Sequence, residues 1–262
     1  MTIDDRDAAV LCGIARDAGQ AILTLYGTAC STSTKHDASP LTQADTDADA
    51  IICARLSSAF PGVPIVSEES AAAQTGAADV FFLVDPLDGT KEFLNQTDEF
   101  TVNIALIDHG RPVAGVVFAP ALDELFVAAG AGPARKHHDG KATDLEVTAF
   151  DRTHPLRVIG SRSHASPAMQ EWLDTLDVPY TFVAAGSSLK FCRIAEGRAD
   201  VYPRFGLTSQ WDTAAAQAVL ERAGGRVMDL SGTPLCYGCD RPMLNPFFTA
   251  IGDPCVAAFV RT

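Results

Sequence analysis

One acidic segment in the first half of the chain carries the residue types that a metal-assisted phosphate site needs. An apolar run at residues 80–84 is followed directly by two carboxylates, Asp85 and Asp88, a glycine and the hydroxyl of Thr90. Asp-Pro and Asp-Gly pairs favour turns, so both acids are predicted at the carboxyl end of a strand. Mg2+ prefers carboxylate and carbonyl oxygens and usually keeps positions open for water and phosphate. The segment therefore predicts a divalent-cation site that binds a phosphate.

The same residue pairs are common turn formers, so this segment alone also fits a structural turn. Two further acidic clusters argue for the metal site. Glu68 and Glu69 follow a short apolar run in the same way, and Asp212 opens a strongly helical run. Three separated clusters at the ends of elements indicate ligands that come from different parts of the fold.

Composition bounds the class of protein. With 262 residues and 47% hydrophobic content, the chain can bury a large core as one domain or as two joined lobes, which we expect at residues 1–150 and 151–262. The formal charge of −13 argues against binding to a nucleic-acid polymer or to an anionic membrane. A small phosphate ester remains compatible with this charge, because bound cations reverse the local field.

The amino terminus and the cysteines indicate a cytoplasmic protein. Residues 1–5 are acidic where a secretory signal is basic, and no apolar run approaches the length of a membrane span, so no transmembrane segment is expected. Seven scattered cysteines form no compact disulfide framework and favour reduced thiols. Cys236 and Cys239 form a single C-x-x-C pair, which needs other ligands to close a zinc site, and we interpret them as ordinary thiols.

Hydrophobic periodicity predicts alternating helices and strands. Helices are expected at 11–26, after Pro40, at 167–176, near Ser188 and at 212–223. Strands or strand-like apolar runs are expected at 63–66, 80–84, 100–108, 113–118, 125–128, 156–160, 180–183 and 199–202. The polar segment 130–144, which includes His137 and His138, is predicted to be a surface loop. The pattern alone gives a mixed α/β chain.

The acidic clusters together resemble the signature motifs of the inositol monophosphatase superfamily. The resemblance rests on Ser67-Glu68-Glu69, Asp85-Pro86-Leu87-Asp88-Gly89-Thr90 and Trp211-Asp212-Thr213-Ala214-Ala215. Lys91-Glu92-Phe93 is similar to the bisphosphate nucleotidases of this superfamily, whereas inositol phosphatases typically have Thr-Asn-Phe. The likeness continues through 99–108, 115–120, 161–165, 186–192 and 202–206, and so covers nearly the whole chain. It implies the layered α-β-α-β-α sugar-phosphatase fold.

The resemblance also implies a ligand set for Mg2+. Glu68, Asp85 and the backbone carbonyl of Leu87 are expected to hold a first ion. Asp85, Asp88 and Asp212 are expected to hold a second, and a third, weaker ion near Glu68 is left open. Such cations lower the pKa of a bound water, neutralise the phosphoryl oxygens and stabilise the leaving alkoxide.

Asp45, Thr90 and Glu68 are the predicted catalytic residues. A threonine hydroxyl is too weak an acid to act unaided, and the resemblance implies that Thr90 and Asp45 together activate the attacking water. Each residue also has a structural interpretation, with Thr90 capping the turn and Asp45 as a solvated helix carboxylate. The combined pattern favours the catalytic interpretation.

Substrate contacts are predicted around two loops. The first loop, with the start of the last helix, contributes Leu87, Asp88, Gly89, Thr90 and Asp212. Its amides after Gly89 are expected to start a short helix that binds a phosphate oxygen. The second loop contributes Gly186, Ser187, Ser188 and Lys190 as a candidate cradle for a second phosphate or the ribose. A glycine turn with a serine helix cap is its structural alternative.

Arg204 has two interpretations of equal standing. It either contacts a phosphate bidentately or supports the region of Asp212 from the surface.

The expected function is Mg2+-dependent removal of the 3'-phosphate from adenosine 3',5'-bisphosphate, which gives AMP. The sulfated analogue is a second candidate substrate, and the resemblance implies lithium sensitivity and a setting in sulfur assimilation. The expected partner is this small nucleotide bisphosphate, and both a monomer and a homodimer remain open.

Three alternative functions fit parts of this pattern. A member of the same superfamily could act on inositol monophosphate, histidinol phosphate or fructose bisphosphate. An aspartyl-nucleophile phosphatase has a D-x-D loop, whereas two residues separate Asp85 from Asp88 here. A regulator without turnover would tolerate the loss of a catalytic group, and this chain retains the complete set.

Overall fold

The computed structural model describes residues 1–28, 32–34, 40–70, 78–161 and 167–259, with only the backbone for 32–34 and Pro40. The helices of these residues are α1 Asp5–Leu25, α2 Gln43–Ala59, α3 Thr90–Leu94, α4 Pro167–Asp174, α5 Leu189–Ala195 and α6 Gln210–Arg222. The strands are β1 Thr32–Thr34, β2 Pro40–Thr42, β3 Ile65–Ser67, β4 Val80–Asp88, β5 Thr101–Asp108, β6 Arg111–Ala119, β7 Glu124–Ala128, β8 Arg135–His138, β9 Lys141–Asp144, β10 Leu156–Ser161, β11 Tyr180–Ala185, β12 Val201–Arg204, β13 Arg226–Asp229 and β14 Phe248–Ile251. Short 3-10 turns lie at Pro120–Leu122 and Pro254–Ala258.

Two sheets form the centre of the molecule. A seven-stranded sheet has the order β3-β4-β5-β6-β7-β8-β9, and a five-stranded sheet has the order β11-β10-β12-β14-β13. Helices α1 and α2 pack on one face of the larger sheet, while α6 packs on its other face and also contacts α5 and β13. Helix α4 contributes Trp172 and Leu173 to a separate apolar cluster with strands of the smaller sheet. The expected α-β-α-β-α layers are confirmed.

Strand β4 shows why its sequence is an unbroken apolar run. Successive side chains of a strand point to opposite faces, and both faces of this sheet are covered by helices. Phe82 and Val84 pack with α1 and α2. Phe81 and Leu83 pack in the cluster that includes α5 and α6. The strand that carries the acidic motif is thereby fixed from both sides.

Helix α1 is long and apolar enough to cross a membrane by length and composition, the one such helix in the described part of the chain. Its apolar stripe, which includes Leu11, Ile14 and Ile22, is fully buried against α2 and the larger sheet. Asp4 caps its amino terminus by accepting a hydrogen bond from the Asp7 amide at 2.8 Å. These contacts are typical of a core helix.

The polar segment 130–144 departs from the prediction. It contains strands β8 and β9, which pair antiparallel and extend the larger sheet beyond β7. The loop prediction was wrong. Both strands are polar and largely exposed, so they lack the apolar pattern that marks a strand in a sequence, and their order comes from pairing with β7. His138 is exposed and His137 half-buried, as surface residues. The division of the chain into lobes at residue 150 stays a prediction.

Helix α6 lies unusually close to strand β6, and Gly115 makes this possible. A Cβ atom at residue 115 would collide with the carbonyl oxygen of Ala215 and would lie 2.9 Å from Cβ of Ala218. The facing side of α6 is alanine-rich, so the backbones of strand and helix approach each other directly. Because Asp212 is in the first turn of α6, this contact sets how deeply that carboxylate enters the molecule.

Replacing Gly115 with Ala is expected to lower the free energy of unfolding by roughly 1–3 kcal/mol, since α6 must move away from the sheet. Urea denaturation measures the change. Gly13→Ala is the matched control, because Gly13 lies within α1 and the nearest atom to its added methyl group is 3.8 Å away. The control should be as stable as the original protein or more stable by about 0.5–1 kcal/mol. Equal stability of Gly115→Ala and the parent would contradict the described packing of α6.

Candidate active site

The acidic motif lies in the last residues of β4, where the strand is irregular. Asp85 pairs with Asn103 and Asp88 with Thr101 of β5, and the register shifts between these two pairs. Such a bulge re-aims side chains at the end of a strand. The Asp85 carboxylate is buried and accepts a hydrogen bond from the Leu87 amide at 3.1 Å. The acids are thus held by the strand itself, which continues four residues beyond the predicted end at Val84.

Gly89 turns the chain from β4 into α3. Its φ of 87° lies in the left-handed region that glycine adopts without strain. Its carbonyl oxygen accepts the amide of Phe93 at 2.9 Å, so the expected short helix begins directly at Thr90. Three consecutive residues, Asp88 to Thr90, therefore contain a predicted metal-binding carboxylate, a turn and the start of a helix.

Asp45 is fully buried in the first turn of α2 and faces Thr90. Its Oδ2 accepts hydrogen bonds from the amide and the hydroxyl of Thr42, both at 2.7 Å. Its Oδ1 accepts the Thr90 hydroxyl at 3.3 Å. The alternative of a solvated carboxylate was wrong, because the helix start is packed under the β4 loop. One oxygen caps the helix, and the other is directed to the predicted catalytic hydroxyl.

Glu68 follows β3, which pairs in parallel with β4. Its amide donates to the carbonyl oxygen of Val84 at 3.1 Å, so Glu68 lies beside the residue that precedes Asp85. The neighbouring Ser67 hydroxyl donates to Asp49 on α2 at 2.5 Å and ties this loop to the same helix that carries Asp45. The parallel strand pair and α2 together place Glu68 at the edge of the acidic motif.

Asp212 meets the other acids from the first turn of α6. Its Oδ2 accepts the Ser209 amide at 2.9 Å, which fixes the side chain at the helix start. Burial, then the negative charge of Asp88 and that of Glu68, raise the pKa of Asp212 well above its usual range. The carboxylates of Glu68, Asp88 and Asp212 thus lie close together and repel one another. A cation bound among them would offset this repulsion. The oxygen-only donors fit a hard divalent ion.

The loop before α5 closes on Asp88. Oδ2 of Asp88 accepts the Ser187 hydroxyl at 2.5 Å, the Ser188 amide at 2.7 Å and the Ser188 hydroxyl at 3.0 Å. The Gly186 amide donates to Glu99 Oε2 at 2.9 Å. These predicted phosphate donors therefore contact protein carboxylates in this structure. The alternative of a serine helix cap was wrong, because the Ser188 side chain makes no capping hydrogen bond to α5 and bonds Asp88 instead.

Lys190 is buried beneath the same loop. Its ammonium group donates to the carbonyl oxygen of Ser187 at 2.5 Å and lies 5.4 Å from the centroid of the Tyr202 ring. Burial lowers the pKa of Lys190 from 10.5 to about 8, partly offset by the nearby charge of Asp88. Lys190 thus fixes the loop while its charge remains close to the acidic region.

Arg204 ends β12 and is half-buried instead of lying free on the surface. Its Nη2 donates to the carbonyl oxygen of Leu207 at 3.0 Å. Its Nε is buried and has no acceptor among the described residues. A buried donor without a partner favours a ligand contact, because leaving such a group unpaired costs free energy.

Two adjoining cavities contain the predicted site. The first measures about 280 Å³, and its walls include the predicted residues Asp88, Gly89, Thr90, Ser187, Ser188, Lys190, Arg204 and Asp212. The second measures about 340 Å³ and is more apolar, with Met169, Phe205 and Leu207 in its wall. Both cavities share Ser161, Tyr202, Arg204 and Leu207. Five predicted site residues do not line either cavity: Asp45, Glu68, Asp85, Leu87 and Gly186.

Several contacting residues were not identified from sequence. Asn103 donates to Asp88 Oδ2 at 3.5 Å, and the Thr101 hydroxyl donates to Ser187 Oγ at 2.5 Å, since Ser187 gives its own proton to Asp88. Asn103 and Thr101 are buried polar residues within the otherwise apolar β5, and that polarity is the signal that could have identified them. Residues 162–165 of the family-like motif lie outside the described residues.

A second group of potential ligands lies away from the cavities. Side-chain atoms of Asp123, His138 and Asp139 lie within 4.8 Å of one another, and all three residues are exposed. Arg16 already neutralises Asp123 at 3.3 Å. This exposed group is not part of the predicted metal site.

The chain belongs to the inositol monophosphatase family, whose model matches residues 4–257. Within that family it is similar to "3'(2'),5'-bisphosphate nucleotidase CysQ" of Escherichia coli strain K12, at 46% identity over 91% of this chain and 96% of the relative. The CysQ crystal structure from Bacteroides thetaiotaomicron has 34% identity and a TM-score of 0.81, covering 94% of this chain and 97% of that one. The suhB structure from Bartonella henselae has 28% identity and a TM-score of 0.77, covering 97% and 96%.

The buried Lys190 predicts a pH dependence of stability. Between pH 8 and 10.5 its amine is mostly neutral in the folded protein but charged in the unfolded chain, which therefore binds more protons. Stability attributable to this group thus rises as the pH increases through that window. The free energy of unfolding of the parent minus that of Lys190→Met should increase from pH 8 to 10.5, measured by urea denaturation.

Lys141→Met is the control for this experiment, because Lys141 is exposed on β9. Its difference from the parent should stay constant across the same pH range. A constant difference for Lys190→Met as well would contradict the lowered pKa.

Proposed function

We propose that this protein is a Mg2+-dependent 3'(2'),5'-bisphosphate nucleotidase that hydrolyses the 3'-phosphate of adenosine 3',5'-bisphosphate to give AMP and phosphate. The observation that carries the proposal is the crowding of Asp212 by Asp88 and Glu68, with Asp88, Asp212 and the Asp45-bonded Thr90 in the wall of one cavity. Similarity to the CysQ nucleotidases over 91% of the chain supports the substrate class. The sulfated analogue is a second candidate substrate.

The chain offers a ligand set for two Mg2+ ions. Glu68, Asp85 and the Leu87 carbonyl would hold one ion, and Asp85, Asp88 and Asp212 the other. The crowding that raises the pKa of Asp212 supports this assignment, since acids that repel one another are stabilised by a shared cation. When bound, such ions activate water, neutralise the phosphoryl oxygens and stabilise the leaving alkoxide.

Thr90 and Asp45 would position the attacking water and receive its proton. The Thr90 hydroxyl donates to Asp45 Oδ1, so the lone pairs of Thr90 Oγ1 are free to accept a hydrogen bond from that water. A proton can then pass from water to Thr90 Oγ1 while the Thr90 proton moves to Asp45 Oδ1. Thr42 holds the opposite oxygen of Asp45 and keeps the carboxylate aligned.

The cavities suit a substrate with two phosphates and a base. Lys91, Lys190 and Arg204 supply the positive charges in the wall of the first cavity, and the orphaned Nε of Arg204 supports a contact with the second phosphate. The second cavity adjoins Arg204 and has the apolar side chains Met169, Phe205 and Leu207 for a nucleobase. Inositol monophosphate has one phosphate and no base, so it would leave these groups without partners.

We also propose a cytoplasmic location. Six cysteines in the described part of the chain are free thiols, which suits a reducing compartment. The setting proposed for the activity is sulfur assimilation, and either a monomer or a homodimer is compatible with the site.

A substrate panel with Mg2+ tests the proposal. Phosphate release from adenosine 3',5'-bisphosphate should exceed that from inositol monophosphate, histidinol phosphate and fructose bisphosphate, because the nucleotide offers a second phosphate for Arg204 and a base for the apolar cavity. Millimolar lithium should inhibit this activity by competing at a cation position. Equal or better turnover of inositol monophosphate would overturn the substrate assignment, and a trapped phosphoaspartate would overturn the water mechanism.

Asp88→Asn tests the ligand assignment. The amide keeps the size of the side chain and can still accept hydrogen bonds from the Ser188 loop, so folding should be retained. Activity should fall by more than the roughly 10–100-fold typical of residues that only support a metal ligand. Asp144→Asn, at an exposed site on β9, should keep the parental rate. Full activity of Asp88→Asn in a phosphate-release assay would remove Asp88 from the ligand set.

A further inference from the structure

Ser188 lies between two of the proposed metal ligands. It is buried, and only 2% of its surface is exposed. Its hydroxyl is 3.0 Å from Oδ2 of Asp88 and 2.8 Å from the main-chain oxygen of Asp212. Asp88 comes from β4 of the larger sheet, whereas Asp212 comes from α6. One side chain therefore contacts both elements that must meet to form a shared cation site.

The orientation of the Ser188 hydroxyl is determined by a hydrogen bond from β5. The Thr101 hydroxyl donates to Ser187 Oγ at 2.5 Å, because Ser187 gives its own proton to Asp88, and the amide nitrogen of Asn103 faces Ser188. That nitrogen donates to Ser188 Oγ at 3.0 Å. Because the hydroxyl oxygen accepts from Asn103, its proton is directed to Asp88 or Asp212.

The hydrogen bonds on Asp88 are concentrated on a single oxygen. Oδ2 accepts from the Ser187 hydroxyl, the Ser188 amide and the Ser188 hydroxyl, so Oδ1 is the oxygen left for a cation. Neutral donors stabilise the carboxylate without adding a positive charge that would compete with a metal ion. Ser187 adopts a left-handed φ of 52°, which is unfavourable for serine and persists only where surrounding contacts require it.

We propose that Ser188 is a positioning residue of the second cation site, which holds Asp88 and the first turn of α6 at a fixed separation instead of contacting the substrate. This inference rests on the ligand assignment of the proposed function. Loss of the hydroxyl would leave Asp88 and Asp212 less well aligned for one ion, and supporting groups of this kind change metal affinity by about 10–100-fold.

Ser188→Ala separates this role from substrate binding. Isothermal titration with Mg2+ should show a roughly 10–100-fold weaker apparent Kd than for the parent, in the absence of substrate. At saturating Mg2+, KM for adenosine 3',5'-bisphosphate should stay within about twofold, because a residue that does not touch substrate leaves ground-state binding unchanged. Ser231→Ala removes an exposed hydroxyl that bonds Asp229, and should leave both quantities unchanged.

The opposite pattern would overturn the proposal. If Ser188 contacts the second phosphate, Mg2+ affinity stays constant, KM rises for the bisphosphate, and the KM for adenosine 3'-monophosphate is unaffected. Asn103→Leu provides a second variant of similar shape should Ser188→Ala fold poorly. It removes the 3.0 Å donor to Ser188 together with the longer 3.5 Å contact to Asp88, so it should weaken Mg2+ binding in the same direction, and unchanged binding would contradict the inference.

Asp88→Asn distinguishes failure of this inference from failure of the ligand assignment. If Asp88→Asn binds Mg2+ as tightly as the parent, the proposed ligand set is wrong. If Asp88→Asn loses Mg2+ affinity but Ser188→Ala and Asn103→Leu do not, the ligands are right and the positioning role of Ser188 is wrong.

Discussion

Mutual repulsion among crowded, half-buried carboxylates is the constraint on which this structure depends. Glu68, Asp88 and Asp212 come from three elements, and their proximity raises the pKa of Asp212 together with burial. Such a region is unfavourable in a protein core unless hydrogen bonds or cations offset it. The fold must therefore hold these acids together against their charge, and the layers around β4 and α6 provide the necessary rigidity.

Packing provides that rigidity from two directions. Strand β4 is fixed by apolar contacts on both faces, and α6 is held against β6 through the space that Gly115 leaves. Polar contacts then set the finer geometry, with Thr42 aligning Asp45 and the Ser188 loop aligning Asp88. Apolar layers thus bring the chain segments together, while neutral donors orient the carboxylates without cancelling their charge.

The loop from Gly186 to Lys190 contacts the proposed metal ligands and also lines the proposed substrate cavity. Its serines and its first amide contact Asp88 and Glu99, and Lys190 fixes it from below by donating to Ser187. The same loop forms part of the cavity wall beside Arg204. The metal-ligand region and the proposed site for the second phosphate are therefore built on one segment, whose residues divide between the two roles.

The sequence by itself determined a mixed α/β chain and the positions of the acidic motifs, because apolar periodicity and short-range turn chemistry are local properties. The layered fold followed from the family resemblance. The same resemblance, and not spacing, paired Thr90 with Asp45. Only the tertiary structure revealed that Asp45 is buried, that Ser188 bridges Asp88 and α6, and that β8 and β9 form a hairpin. These features depend on contacts between residues far apart in the chain, and such contacts exist only once the sheets and helices have packed.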